Sequence, residues 1–253
     1  MSHLPVLLAW SSGKDSAWSL HVLRGRPDVE VVGLLTTLNE AYDRVAMHAV
    51  RRALLEAQAR AAGLPLTLVH IPSPCPNEEY ERAMAAAIAS ARAAGVRGVA
   101  FGDLFLEDVR RYRERQMAPT GLELVFPLWG RPTAALAREM LAGGLQARLT
   151  CVDPRVLPAS FAGRAFDGAL LEDLRDGVDP CGENGEFHTF AWDGPMFTSA
   201  VPVRGGEVVE RDGFVFADLL PENGTDHRGG AEVGEDGRKT GSTARPGSAE
   251  PRP

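Results

Sequence analysis

The residues of this chain best equipped for chemistry fall in two short segments far apart in sequence. The first is Ser11-Ser12-Gly13-Lys14-Asp15-Ser16, and the second is Cys181-Gly182-Glu183-Asn184-Gly185-Glu186-Phe187-His188-Thr189. Lys14 is the only lysine before Lys239; every other strong base up to that point is an arginine. Lysine is a compact point charge on a flexible stem, whereas arginine is a wide planar fork. A tight loop around phosphate oxygens suits the point charge. The second segment crowds two carboxylates, an imidazole and a thiol onto a backbone bent by two glycines. A carboxylate whose pKa is raised by a neighbouring charge can serve as a general base, and a β-turn with solvated acids is the simpler reading of the same composition.

The first segment follows the apolar run Leu4 to Trp10 and precedes the apolar-periodic run Ala17 to Leu23. Strand, Gly/Ser turn and helix make an anion site, because the first helical N–H groups lack intrahelical partners and the helix dipole adds positive charge there. The simpler alternative is an ordinary capped helix, with Ser12 or Asp15 as the cap. The Walker pattern is absent, since Asp15 stands where its Ser/Thr would follow the lysine.

Further strands are predicted at Val6–Trp10, Val29–Thr36, Leu66–Ile71, Gly98–Gly102 and Glu123–Leu128. Helices are predicted at Asp15–Leu23, Val45–Ala62, Glu78–Ala94 and Asp108–Met117. In the Val45 helix, Val50, Ala53, Leu54 and Ala57 mark one apolar face, and Gly63 with Pro65 stops it. The alternation predicts an α/β fold with a doubly wound, Rossmann-like parallel sheet over 1–128. Ligands of such sheets lie beyond the carboxyl ends of the strands. Past Trp129 the texture changes, with a helix at Thr133–Ala142, a strand at Gln146–Val152, a helix at Asp167–Arg175 and a strand-like alternation from Phe187 to Trp192. Residues 129–220 therefore read as a second, smaller α+β domain or a large insertion around the site. Residues 221–253, rich in Gly and Pro and lacking Leu, Ile, Met and aromatics, read as a disordered tail.

A net charge of −7 argues against nucleic acid or an anionic membrane as the main partner. No stretch approaches the ~20 apolar residues of a membrane helix. Cys75, Cys151 and Cys181 form no C-x-x-C pair, so a reduced, cytoplasmic protein is expected.

The loop resembles the pyrophosphate-binding S-G-G-x-D-S of the ATP pyrophosphatase superfamily, the PP-loop or adenine nucleotide alpha hydrolase-like group, with Ser12 in place of the second glycine. Cys181 to Thr189, together with Asp193-Gly194-Pro195-Met196-Phe197, is similar to the signature of its diphthine–ammonia ligase-like branch. Gly95-Val96 through Phe101-Gly102-Asp103, Pro127-Leu128-Trp129, and the helix end from Gln58 to Gly63 also resemble that branch. The likeness runs from about residue 4 to residue 220. It implies a HUP-type ATP-binding domain and a ligase that adenylates a carboxyl group, releases pyrophosphate, and forms an amide with ammonia.

The implied partners are ATP, Mg²⁺, ammonia (free or delivered by another protein) and a carboxyl-bearing acceptor, a modified protein histidine or a small molecule. Ser11, Ser12, Gly13, Lys14 and Ser16 are assigned to the phosphates, with Lys14 an exposed loop cation that adds little stability. Asp15 orients the loop, caps the helix or helps hold Mg²⁺. Asp103, after a glycine at a strand's carboxyl end, is a candidate for Mg²⁺ or the acceptor, or else stabilises a turn. Glu183 and Glu186 are candidates for acceptor or ammonium binding, with Glu186 the better base and His188 an alternative base or a structural histidine. Cys181 as a nucleophile would need a basic partner. His48 is placed near the nucleotide. The rival readings are a tRNA-thiolating relative, a pyrophosphatase with another acceptor, and an ATP sensor without catalysis.

Overall fold

The apolar run that opens the chain becomes β1 (Leu4–Ala9). Val6 and Leu8 are wholly buried on one side and Leu7 nearly so on the other, as a central parallel strand covered on both faces requires. The computed structural model describes residues 3–45 and 49–222. After β1 come α1 (Lys14–Arg24), β2 (Val29–Asn39), β3 (Arg44–Val45), α2 (Arg52–Ala62), β4 (Leu66–Ile71), α3 (Asn77–Ala93), β5 (Gly98–Ala100), α4 (Glu107–Met117) and β6 (Glu123–Val125). The parallel strands lie in the order β4-β2-β1-β5-β6, with β3 antiparallel to the carboxyl end of β2. The chain moves outward from β1 to β2 and β4, then crosses back to β5 and β6. The crevice of such a sheet opens where this direction reverses, between the carboxyl ends of β1 and β5.

The second sheet is antiparallel. It follows α5 (Thr133–Ala142) and comprises β7 (Gln146–Val152), then after α6 (Gly168–Asp173), β8 (Phe187–Asp193), β9 (Val203–Arg211) and β10 (Phe214–Pro221), in the order β8-β7-β10-β9. Asp167 caps α6 by accepting from the Leu170 amide at 2.8 Å. One apolar core joins Val6, Leu8 and Trp10 of the first sheet to Leu149, Phe187 and Phe190 of the second. A smaller core on the opposite face packs Leu7, Leu35, Val69 and Phe101 against Ile88 of α3 and Met117 of α4.

Three sequence expectations change. The helix predicted from Val45 starts at Arg52, because Val45 pairs with Leu38 as a strand and is buried there. The segment Asp167–Arg175 holds only the short α6. The β9–β10 hairpin was not anticipated; it turns at Asp212 and Gly213, with φ of 54° and 80°, the Asp-Gly geometry of a two-residue hairpin. Among the described residues no helix is long and apolar enough to cross a membrane. The tail beyond Glu222 and the reading of His48 lie outside the described residues.

Candidate active site

The turn from β1 into α1 brings the loop to the crevice. Ser12 adopts φ 69°, a left-handed conformation that costs a side-chain-bearing residue about 1–2 kcal/mol. This explains why glycine is the usual occupant of that place in the motif it resembles. Buried hydrogen bonds hold the conformation. The Ser12 carbonyl accepts from the Ala191 amide at 3.0 Å and from Gln58 Nε2 at 2.9 Å. Gln58 Nε2 also donates to the Ala191 carbonyl at 2.5 Å, and Gln58 Oε1 accepts from Trp10 Nε1 at 2.9 Å. One wholly buried glutamine thus fastens the loop to the end of β1 and to β8. Gly13 is the N-cap of α1 and no side chain caps it, so neither Ser12 nor Asp15 has the capping role. Ser16 Oγ donates to the Gly13 carbonyl at 3.0 Å and lies 3.2 Å from Ser11 Oγ. From β8, Thr189 Oγ1 accepts the Lys14 amide at 3.0 Å.

Lys14 is not an exposed cation. Its side chain is 2% exposed, its ammonium pairs with Asp15 at 2.8 Å, and it donates to the Cys181 carbonyl. The rings of Phe166 and Phe187 flank it at 5.6 and 5.5 Å. Burial works to lower the pKa of this ammonium, but Asp15, Cys181 and Glu183 together outweigh it and hold the ammonium above its usual range. Burial raises the Asp15 carboxyl in spite of Lys14.

Gly102 lies against the start of α1. A Cβ there would sit 3.2 Å from the Asp15 carbonyl carbon and the Ser16 amide nitrogen, so only glycine lets the end of β5 approach so closely. Asp103 follows it and is clamped by Arg113 of α4, with Nε on Oδ2 at 2.6 Å and Nη2 on Oδ1 at 2.9 Å. Asp103 thus accepts a bidentate pair from a guanidinium while it lines the cleft.

The signature segment divides its two glutamates between different tasks. Glu183 lines the cleft, and its Oε1 accepts from the Leu104 amide at 2.7 Å. Burial, reinforced by Asp15, pushes its carboxyl up to about 7. Glu186 lies behind the cleft wall. It is 5% exposed, and its Oε1 accepts the Asp179 amide at 3.0 Å and Asn184 Nδ2 at 2.9 Å. Glu186 therefore holds the turn together, and Glu183 is the glutamate of the pair that faces the cleft. Gly182, with φ 70°, makes this turn possible; a Cβ there would meet the Phe187 carbonyl oxygen at 2.8 Å.

His188 lines the cleft, and burial, followed by Lys14, pulls it down to about 4. It is neutral at physiological pH and too weakly basic to deprotonate an ammonium ion efficiently. Burial pushes the Cys181 thiol up to about 12, which removes it as a nucleophile.

These groups share one cleft of 440 Å³. Trp10, Ser11, Lys14, Asp15 and Ser16 form one wall, and Gly102, Asp103, Tyr80, Tyr112 and Arg113 another. Cys181 to Glu183 with Phe187 to Thr189 close the third side, and Leu35 to Thr37 from β2 complete it. The volume suits a nucleotide-sized ligand. Sequence reasoning missed Arg113, one of four arginines on α4. The signal was its position: it lies four residues from both Val109 and Met117, the buried stripe of that helix. Among the described residues no cluster of three His, Cys, Asp or Glu could hold a metal by protein ligands alone. A Mg²⁺ here would share its ligands with phosphate oxygens, as that ion commonly does; Asp15 and Asp103, each paired with a cation, are the aspartates that line the cleft among the described residues.

The family model for the diphthamide synthase N-terminal domain matches residues 5–124, and that for the diphthamide synthase C-terminal domain matches residues 132–216. A relative from Danio rerio, named diphthine–ammonia ligase, is 31% identical over 228 residues, 82% of this chain and 89% of its own. The protein of the same name from Homo sapiens is 28% identical over 232 residues, 82% of this chain and 85% of its own. The matched regions contain both walls of the cleft, and the chain belongs to the diphthamide synthase (diphthine–ammonia ligase) family.

Proposed function

We propose that this protein is an ATP-dependent ammonia ligase that adenylates a carboxyl acceptor and converts it to an amide. The observation that carries this reading is the meeting of the Ser11–Ser16 loop and the Glu183–Thr189 segment in one cleft, joined by the Lys14 amide on Thr189 and the Ala191 amide on Ser12. A phosphate cradle and an acid-rich acceptor wall facing each other is what a two-step ligation needs.

In this reading Ser11, Ser12, Gly13, Lys14 and Ser16 hold the distal phosphates, and Asp15 helps hold Mg²⁺. An oxygen of the acceptor carboxylate attacks the α-phosphorus, and pyrophosphate leaves with the electron pair of the broken P–O bond. Ammonia then forms the C–N bond, AMP departs with the C–O pair, and the proton shed by nitrogen passes to Glu183. A carboxyl titrating at about 7 suits that transfer at neutral pH. His188, neutral and buried, lines the same cleft. The relatives' name identifies diphthine as their substrate; a carboxyl acceptor of that kind is proposed here.

The position of ATP cleavage tests this reading. Chromatography of α-labelled ATP, incubated with the protein, Mg²⁺, ammonium and a cell extract as acceptor source, is expected to yield AMP and pyrophosphate in equal amounts. ADP and phosphate as main products would overturn it.

A further inference from the structure

Among the described residues Arg113 is the one arginine that lines the cleft. Its guanidinium is 18% exposed and stacks over Phe101 at 4.4 Å. Asp103 takes only one edge of the fork, the Nε and Nη2 edge. Among the described residues Nη1 has no hydrogen-bond partner, so the edge formed by Nη1 and the second Nη2 proton is unspent. A guanidinium fixed by a carboxylate behind it and a ring beneath it is pre-organised to receive two oxygens in its plane.

Its place in the fold says which oxygens. Asp103 follows Gly102, whose Cα lies against the first turn of α1. The fork thus stands beside the phosphate loop, and Glu183 is near enough on the other side to favour its charged form. Burial works to lower the guanidinium's pKa, but Asp103, followed by Tyr80 and Glu183, holds it above its usual range. Arg113, the loop and Glu183 line one cleft, so a nucleotide held by the loop and turned toward Glu183 would bring its α-phosphate to this fork.

We propose that Arg113 receives the α-phosphate oxygens with the edge Asp103 leaves free, neutralising the charge that grows there as pyrophosphate departs, and that Asp103 is its positioning residue. This rests on the adenylating reading above. Chemistry of this kind depends on fixed donors aimed at developing charge.

The test needs no acceptor, only four probes: ATP, AMP, adenosine and pyrophosphate, with binding measured by calorimetry. Arg113→Lys keeps a cation for Asp103 but loses the second edge. It is expected to weaken AMP at least tenfold while leaving adenosine and pyrophosphate within twofold. Asp103→Asn is expected to weaken AMP in the same selective way, by less. Equal losses for AMP and adenosine, or no loss for AMP in Arg113→Lys, would overturn the assignment while the ligase reading stands. Wild-type protein that binds neither ATP nor AMP would overturn both.

Discussion

Replacing Lys14 with alanine is expected to abolish ATP turnover and to lower the melting temperature as well. An exposed cation would give only the first effect. Lys14 is 2% exposed and pairs with Asp15 at 2.8 Å; removing it leaves the Asp15 carboxylate and the Cys181 carbonyl without their donor. Breaking such a pair from one side costs about 2–4 kcal/mol, somewhat less than for a wholly buried pair because Asp15 keeps contact with water. Turnover should fall by about two to three orders of magnitude, the loss typical of a single fixed donor to developing charge. Lys14→Arg separates the two effects. It preserves a cation for Asp15, so most stability should return. Its fork does not reproduce a point charge in a slot between Phe166 and Phe187, so turnover should stay low. Melting curves and AMP formation for both variants check this; full turnover in either would remove the lysine from the mechanism.

Glu183→Gln is expected to bind ATP normally and to lose amide formation by about 10²–10⁴-fold, the contribution of a positioned base. Glutamine keeps an acceptor for the Leu104 amide, so the cleft wall should hold its shape. The pH profile gives the sharper readout. With the carboxyl at about 7, wild-type rate at constant free ammonia should rise with pH up to about 7 and level off above it, because the base is the deprotonated form. The variant should lose that limb. The same shift has a consequence for stability. The folded state holds the proton more tightly than the unfolded chain, so Glu183 stabilises the protein below its ordinary carboxyl range and this is lost as pH rises through 7. At pH 8 the variant should therefore melt no lower than wild type. Glu186→Gln is expected to act differently. It disturbs the turn that holds Asp179 and Asn184 and should lower the melting temperature before it changes the pH profile.

The parallel sheet was legible because its strands are short apolar runs separated by helices with one apolar face. Leu66–Ile71, Thr133–Ala142 and Gln146–Val152 form over the very residues the periodicity marks. Val45 was misread because its apolar character serves a strand partner, Leu38, and sequence spacing does not reveal pairing. The β9–β10 hairpin was hidden because β9 is exposed along most of its length and carries no burial pattern, although Asp212-Gly213 was a usable turn signal.

In the site, the two chemical segments were visible as dense clusters of functional side chains. Their division of labour was not. Glu183 and Glu186 are three residues apart in one motif, and only the fold turns the first toward the cleft and the second behind it. Gln58 acts through a contact with a residue distant in sequence, Ser12 across the core, and Arg113 through a side chain ten residues earlier, Asp103. Such roles leave no trace in local composition.

The most direct test of the account supplies ¹⁵N-ammonium with ATP, Mg²⁺ and a cell extract as acceptor source, and follows the label by mass spectrometry alongside AMP. The account predicts a labelled amide formed in equal amount with AMP, with both dependent on ATP and on Lys14. AMP formed at the same rate without ammonium, with no label in any product, would contradict it.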